Sequence, residues 1–133
     1  MIAGRCLCGA VAWRLDGEVD LINYCHCSMC RRVHGAPFGA FAHAHSRDFR
    51  WLKGEASITR YESSPGTFRC FCPTCGSTVP VVEGDEVTLP AGGIEGDPGV
   101  RPSVHIFTAD KAAWYEIADA LPQHRAFPPE DAW

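Results

Sequence analysis

YCHCSMCRRVHG, residues 24–35, places three cysteines within six positions. Residues 70–75, CFCPTC, repeat the same spacing, and residues 6–8, CLC, add a shorter pair near the start of the chain. All eight cysteines lie in these motifs: Cys6, Cys8, Cys25, Cys27, Cys30, Cys70, Cys72 and Cys75. Clustering of this kind is typical of disulfide staples, metal ligands or nucleophiles, and it decides how the chain is organised.

A chain of 133 residues is long enough to bury a core without disulfides, and we expect one domain over residues 1–133. No apolar run is long enough to span a membrane, and the first residues, MIAGRCLCG, lack the apolar segment of a secretory signal. We therefore expect a cytoplasmic, reducing location and no membrane partner. Cysteines in such a compartment are better explained as metal ligands than as disulfides.

The charge balance argues against a nucleic-acid partner. Lys and Arg number 12 and Asp and Glu number 16, which gives a net charge of −4. Binding to a phosphate backbone usually needs a basic face. Zinc sites built from thiolates would make the net charge of the chain more negative still. A small-molecule substrate is the expected partner.

The pattern of apolar residues predicts a mainly β fold. Alternation in AVAWRL and ITRYE, and the apolar runs PFGAFA, TVPVV, EVTLP and SVHIF, indicate strands separated by turns rich in Gly and Pro. Only two short helices are expected. One follows Cys27, and the other is DKAAWYEIADAL, with Asp110 as its N-cap.

Zinc is the metal that these spacings favour, because C-x-x-C turns and extended C-x-C pairs each bring two sulfurs to one point. The spacings of common iron–sulfur motifs are absent. One partition of the sulfurs forms a closed, structural four-cysteine site from Cys6, Cys8, Cys72 and Cys75. Other partitions stay open at this point.

That partition leaves Cys25, Cys27 and Cys30 as three ligands with a fourth position free. Zinc sites with a free position bind water or substrate and are catalytic. Cys70 is the ambiguity, since its thiol would either close this second site or be a spare buried group. A site that Cys70 closed would be structural.

Taken together, the motifs resemble the family of glutathione-dependent formaldehyde-activating enzymes. The resemblance rests on GRCLCGAVAW, YCHCSMCRRVHGAPFGAF and ITRYESSPGTFRCFCPTCGS in that order, followed by TLPAGGIEGDP and HIFTADKAAWYEIADALPQH. It implies a β-tent type of fold, with layered antiparallel sheets around structural zinc. Two residues depart from the family motif. The motif does not require a cysteine at position 70, and at position 34, where this chain has His34, the family often has a small polar residue.

The resemblance also implies the function and the ligand sets. Cys6, Cys8, Cys72 and Cys75 would bind the structural zinc, and Cys25, Cys27 and Cys30 would bind a second, more labile, catalytic zinc. The implied reaction is that of a carbon–sulfur lyase, which joins the thiol of the co-substrate glutathione to formaldehyde, and we expect formaldehyde or a related small aldehyde as the carbonyl substrate. The alternatives are a zinc-stabilised module that binds thiols without turnover, and a purely structural protein with two zinc ions.

Side chains near the second site were assigned from position alone. Arg31 and Arg32 follow Cys30 directly, and we expect them to bind a carboxylate of glutathione. His26 lies between two ligands and should point away from the metal. We expect His34 at the surface of a turn and His105 to be half-buried and hydrogen-bonded.

Overall fold

A computed structural model describes all 133 residues, with eleven β-strands and one α-helix. The strands are β1 (Ile2–Arg5), β2 (Ala12–Leu15), β3 (Val19–Cys25), β4 (Gly39–His45), β5 (Phe49–Lys53), β6 (Thr59–Ser64), β7 (Thr67–Phe71), β8 (Val81–Glu83), β9 (Glu86–Pro90), β10 (Ile94–Glu95) and β11 (Pro102–Ile106). The helix is α1 (Ser28–His34). The mainly β prediction is therefore confirmed.

Three sheets make up the fold. One has the strand order β10-β1-β2-β5, the second has the order β11-β3-β4-β9-β8, and the third is the β6-β7 hairpin. All pairings are antiparallel except that of β11 with β3. Because β11 lies parallel to β3, the chain after β11 leaves the sheet beside Cys25, which pairs with Ile106.

The main core lies between the two larger sheets, where alternate side chains of each strand point inward. Trp13 and Leu15 of β2 pack there against Val87 and Leu89 of β9, and each is at most 1% exposed. Two smaller apolar clusters surround the cysteine motifs. One contains Cys6, Val11, Cys70, Cys72 and Val79, and the other contains Cys25, Cys30, Val104 and Ile106.

The helix α1 begins and ends with recognisable caps. The Cys27 thiol is the N-cap and accepts a hydrogen bond from the backbone N–H of Cys30 at 3.3 Å. Gly35 ends the helix with a left-handed backbone and donates its N–H to the carbonyl of Arg31. No helix in the structure has the length and apolar character needed to cross a membrane.

The prediction of a second helix over DKAAWYEIADAL is wrong. The chain forms only a single 3-10 turn at Thr108–Asp110 and then continues without regular structure. The apolar residues of this segment are not buried on one common face, since Ala112 is buried whereas Trp114 is 74% exposed. The ammonium of Lys111 donates to the carbonyls of Ala112 and Tyr115, and these bonds replace a helical pattern.

Gly4 provides a test of the packing between β1 and β2. It pairs with Trp13, and a Cβ atom at position 4 would overlap the indole ring of that buried residue. We expect Gly4→Ala to lower the free energy of unfolding by about 1–3 kcal/mol, as overpacking does. Gly92→Ala is the control, because no atom lies within 4 Å of its added Cβ. Equal urea midpoints for the two variants would contradict this packing.

Candidate metal centres and the adjoining pocket

The four-cysteine cluster joins two turns that are far apart in the chain. Cys6 and Cys8 follow β1, and Cys72 and Cys75 follow β7. The sulfurs of Cys6 and Cys8 lie 3.6 Å apart, those of Cys8 and Cys72 lie 3.8 Å apart, and all four lie within 4.8 Å of one another. Sulfurs bound at about 2.3 Å around a tetrahedral zinc are separated by about 3.8 Å. The donor set therefore fits zinc.

Hydrogen bonds hold these sulfurs in place. The backbone N–H of Val11 donates to Cys6 Sγ at 3.3 Å, and the Cys75 and Ser77 side chains lie 3.2 Å apart. The bond with Ser77 is the main cause that lowers the pKa of Cys75 to about 5, which favours the thiolate. Gly76 turns the chain after Cys75 with φ 77°, a conformation that side chains with a Cβ rarely adopt.

The three-cysteine cluster is built from the end of β3 and the start of α1. Cys25 is the last residue of β3, Cys27 caps the helix and Cys30 lies in its first turn, so that all three sulfurs fall within 4.8 Å of one another. Hydrogen bonding between the thiols lowers the pKa of Cys27 to about 2 and raises that of Cys25. Three sulfurs that converge in this way form a donor set that fits a zinc ion.

Cys70 lies outside both groups of sulfurs. It is 6% exposed, and burial raises the pKa of its thiol. Along β7 its side chain points to the opposite face from that of Arg69. The group at Cys25, Cys27 and Cys30 therefore has three cysteine sulfurs and no fourth.

Arg69 is the residue that sequence reasoning missed. Its guanidinium donates to Cys30 Sγ at 3.4 Å and to Ser63 Oγ at 3.4 Å. Burial acts to lower the pKa of Arg69, but the hydrogen bonds and charges of Cys30 and Cys27 together outweigh it and raise the pKa, so the side chain stays charged. The only signal in the sequence was its place just before CFCPTC, which gives no hint that β7 reaches the other cysteine cluster.

Arg31 and Arg32 make other contacts. Arg31 Nε donates to the carbonyl of Asp110 at 3.1 Å, and Arg32 donates to the carbonyl of Ser28 at 3.4 Å. Neither side chain lines the cavity that adjoins the three-cysteine cluster. The structure thus brings Arg69, and not these two residues, to the sulfurs.

His26, between Cys25 and Cys27, points away from the three-cysteine cluster. His26 is fully buried, and its Nε2 lies 2.8 Å from His105 Nδ1. His105 in turn donates from Nε2 to the carboxylate of Asp119 at 3.0 Å. Burial and the neighbouring His105 lower the pKa of His26 to about 4, so His26 is neutral near pH 7. His105 is fully buried, more deeply than we expected.

One cavity adjoins the three-cysteine cluster, and a second cavity, beside the four-cysteine cluster, shares part of its wall. The inner pocket, with a volume of about 270 Å³, is bounded in part by Cys25, Phe41 and Arg69. The outer cleft, with a volume of about 710 Å³, is bounded in part by Cys6 and Gly93. His34 lines both, and its Nε2 is buried without a hydrogen-bond partner. This residue therefore belongs to the cavity wall, although the sequence suggested a surface turn.

Comparison with known proteins identifies the family. The model of the glutathione-dependent formaldehyde-activating enzyme family matches residues 1–110. The chain belongs to this family. A relative from Halomonas elongata, whose name also assigns it to the glutathione-dependent formaldehyde-activating enzymes, is 30% identical over 138 aligned positions, covering 96% of this chain and 87% of its own length.

Two other proteins are similar to this chain. An uncharacterized lyase of Schizosaccharomyces pombe is 32% identical over 76 residues, which cover 57% of this chain and 53% of that protein, about half its length. A crystal structure of a Rhodobacter sphaeroides protein has a TM-score of 0.59 and 26% identity, and it covers 91% of this chain and 98% of its own. The family and the mainly β fold are therefore shown, and the family match leaves out residues 111–133.

The two clusters of this family member predict two zinc ions of different lability. Zinc held by three cysteines has fewer protein ligands than zinc held by four, so a chelator should remove it first. We expect Cys27→Ser to bind one zinc and stay folded, and Cys72→Ser to unfold or lose thermal stability. Metal analysis and circular dichroism during titration with a chelator measure both effects. Simultaneous loss of both ions with unfolding would contradict the difference.

Proposed function

We propose that the chain is a zinc-dependent carbon–sulfur lyase that forms and cleaves the adduct of glutathione with formaldehyde or a related small aldehyde at the three-cysteine cluster. The observation that carries this proposal is the number of sulfurs. Cys25, Cys27 and Cys30 converge beside a pocket, and Cys70 stays outside. The family match and the names of the two relatives support the reaction class and the co-substrate.

A zinc ion bound by these cysteines would supply one open position for a thiol sulfur and would lower the pKa of that thiol. The reaction then joins the sulfur to the carbonyl carbon. The electron pair of the C=O bond moves to oxygen, which takes up a proton to give the hydroxymethyl adduct. Cleavage is the same sequence in reverse, with no change in oxidation state.

Arg69 balances the charge at this site. Its guanidinium is half-buried, donates to Cys30 Sγ and lines the inner pocket. A cation here favours an incoming thiolate over a neutral ligand, and it keeps the cysteine sulfurs hydrogen-bonded while the substrate binds. We assign to Arg69 the role of anion partner that the sequence suggested for Arg31 and Arg32.

The rate of adduct formation tests the proposed reaction. Zinc-loaded protein should speed the formation of S-hydroxymethylglutathione above the uncatalysed rate, as measured by exchange NMR with carbon-13 formaldehyde. Cys27→Ser should return the rate to background, because the open metal position is lost. If the zinc-loaded wild type gave only the background rate, the enzyme proposal would be refuted. The thiol-binding and the purely structural alternatives would then remain.

Substitution of Arg69 tests the charge argument. A hydrogen bond from a charged group contributes about 1.5–3 kcal/mol, so Arg69→Ala should lower kcat/KM about 10- to 100-fold. Arg32→Ala is the matched control and should stay within about twofold of wild type, since its side chain is exposed and bonds only to a backbone carbonyl. Zinc content is measured for both variants. Equal losses of activity would count against a special role for Arg69.

A further inference from the structure

The inner pocket has a wall rich in hydrocarbon side chains. Eight of its nineteen lining residues are aromatic or branched aliphatic, and two more are cysteines. Aromatic and aliphatic side chains form much of its wall: Phe41, Phe68, Val81, Ile106, Phe127 and Trp133. Apart from histidine and cysteine, the ionisable groups that line it are Arg69 and Glu83. A wall of this composition favours a hydrocarbon group over a charged one.

Neither of the two proposed reactants, glutathione and formaldehyde, suits the inner pocket. Glutathione carries two carboxylates and an ammonium group, and their burial against hydrocarbon without partners is costly. Formaldehyde has only hydrogen atoms on its carbonyl carbon, so it has no substituent to place in a pocket of about 270 Å³. The outer cleft, of about 710 Å³, has the room for a peptide thiol and shares the His34 wall with the pocket.

We propose that the inner pocket binds the apolar substituent of an aldehyde larger than formaldehyde, of the aromatic or branched aliphatic class. This inference rests on the proposed function and names its substrate class. The thiol sulfur forms a bond to the carbonyl carbon, the C=O electron pair moves to oxygen, and the oxygen takes from solvent a proton equivalent to the one that the thiol gave up. The product is a hemithioacetal whose side chain lies in the pocket.

The C-terminal part of the chain gives this pocket its outer wall. Phe127 packs edge-on against Phe107, with ring centroids 4.7 Å apart, and Trp133 packs against His43 at 6.4 Å. Both Phe127 and Trp133 lie beyond residues 1–110, the part that the family model matches. Part of the apolar wall thus lies outside the residues that the family model matches.

His43, on the same side of the pocket, has no ring nitrogen free to bond a ligand. Its Nδ1 is 2.6 Å from a carboxylate oxygen of Glu86, and its Nε2 is 2.6 Å from Asn23 Oδ1. Both ring nitrogens are therefore paired within the protein. A ligand would meet the face of this ring and the indole of Trp133, which again suits an aromatic or branched hydrocarbon group.

Binding of two stable thioethers tests the pocket without turnover. S-benzylglutathione and S-methylglutathione differ only in the group that would enter it. The zinc-loaded wild type should bind the benzyl compound at least about tenfold more tightly by calorimetry, because the ring buries more apolar surface than a methyl group does. Phe127→Ala and Trp133→Ala should each reduce this preference about threefold. Trp114→Ala is the control, since Trp114 is about as exposed as Phe127 but does not line the pocket.

A narrowing variant and a turnover series separate the outcomes. Val81→Phe should weaken binding of the benzyl compound and spare the methyl compound, and kcat/KM with glutathione should be higher for benzaldehyde than for formaldehyde. Equal affinities of the two thioethers, or binding of neither, would overturn the pocket assignment, whereas formaldehyde turnover alone would leave the proposed function standing. A benzyl preference without turnover of any aldehyde would support the pocket and refute the enzyme proposal.

Discussion

The convergence of four cysteine sulfurs from two distant turns is the constraint on which the arrangement of this protein depends. Cys6 and Cys8 follow the first strand of one sheet, and Cys72 and Cys75 follow the β6-β7 hairpin, which makes a separate sheet. The apolar cluster around these sulfurs is small, with five buried residues against nine in the main core. Burial alone therefore attaches the hairpin weakly, and zinc bound by the four sulfurs would supply the further attachment.

The four-cysteine cluster also positions Arg69 at the three-cysteine cluster. Arg69 lies three residues before Cys72 on the strand that enters the four-cysteine turn. Since Cys72 fixes the end of β7, it fixes where the guanidinium of Arg69 meets Cys30. Loss of the structural site would thus disturb the candidate catalytic site through one short strand, with no need for a longer path of contacts.

Local geometry explains which features the sequence could predict. The pairs C-x-C and C-x-x-C bring their own sulfurs together, and alternating residues such as Val87 and Leu89 predict a strand, because both patterns depend on neighbours in the chain. Arg69 and the pocket depend on contacts between distant segments, which a single sequence does not display. The helix predicted over DKAAWYEIADAL failed for the same reason. Its Asp119 is held by His105, so tertiary bonding overrides local propensity there.

Charge separates the roles of the two clusters. Four thiolates around Zn²⁺ would give about −2, and such a site repels a further anion. Three thiolates would give about −1, and the guanidinium of Arg69 at Cys30 would bring the local sum to about zero. A thiolate can approach this second site without crossing a region of like charge. Its half-buried surroundings strengthen the attraction, since field screening by water is reduced. Under the proposed function, one sulfur fewer and one arginine more would distinguish the substrate-binding site from the structural one.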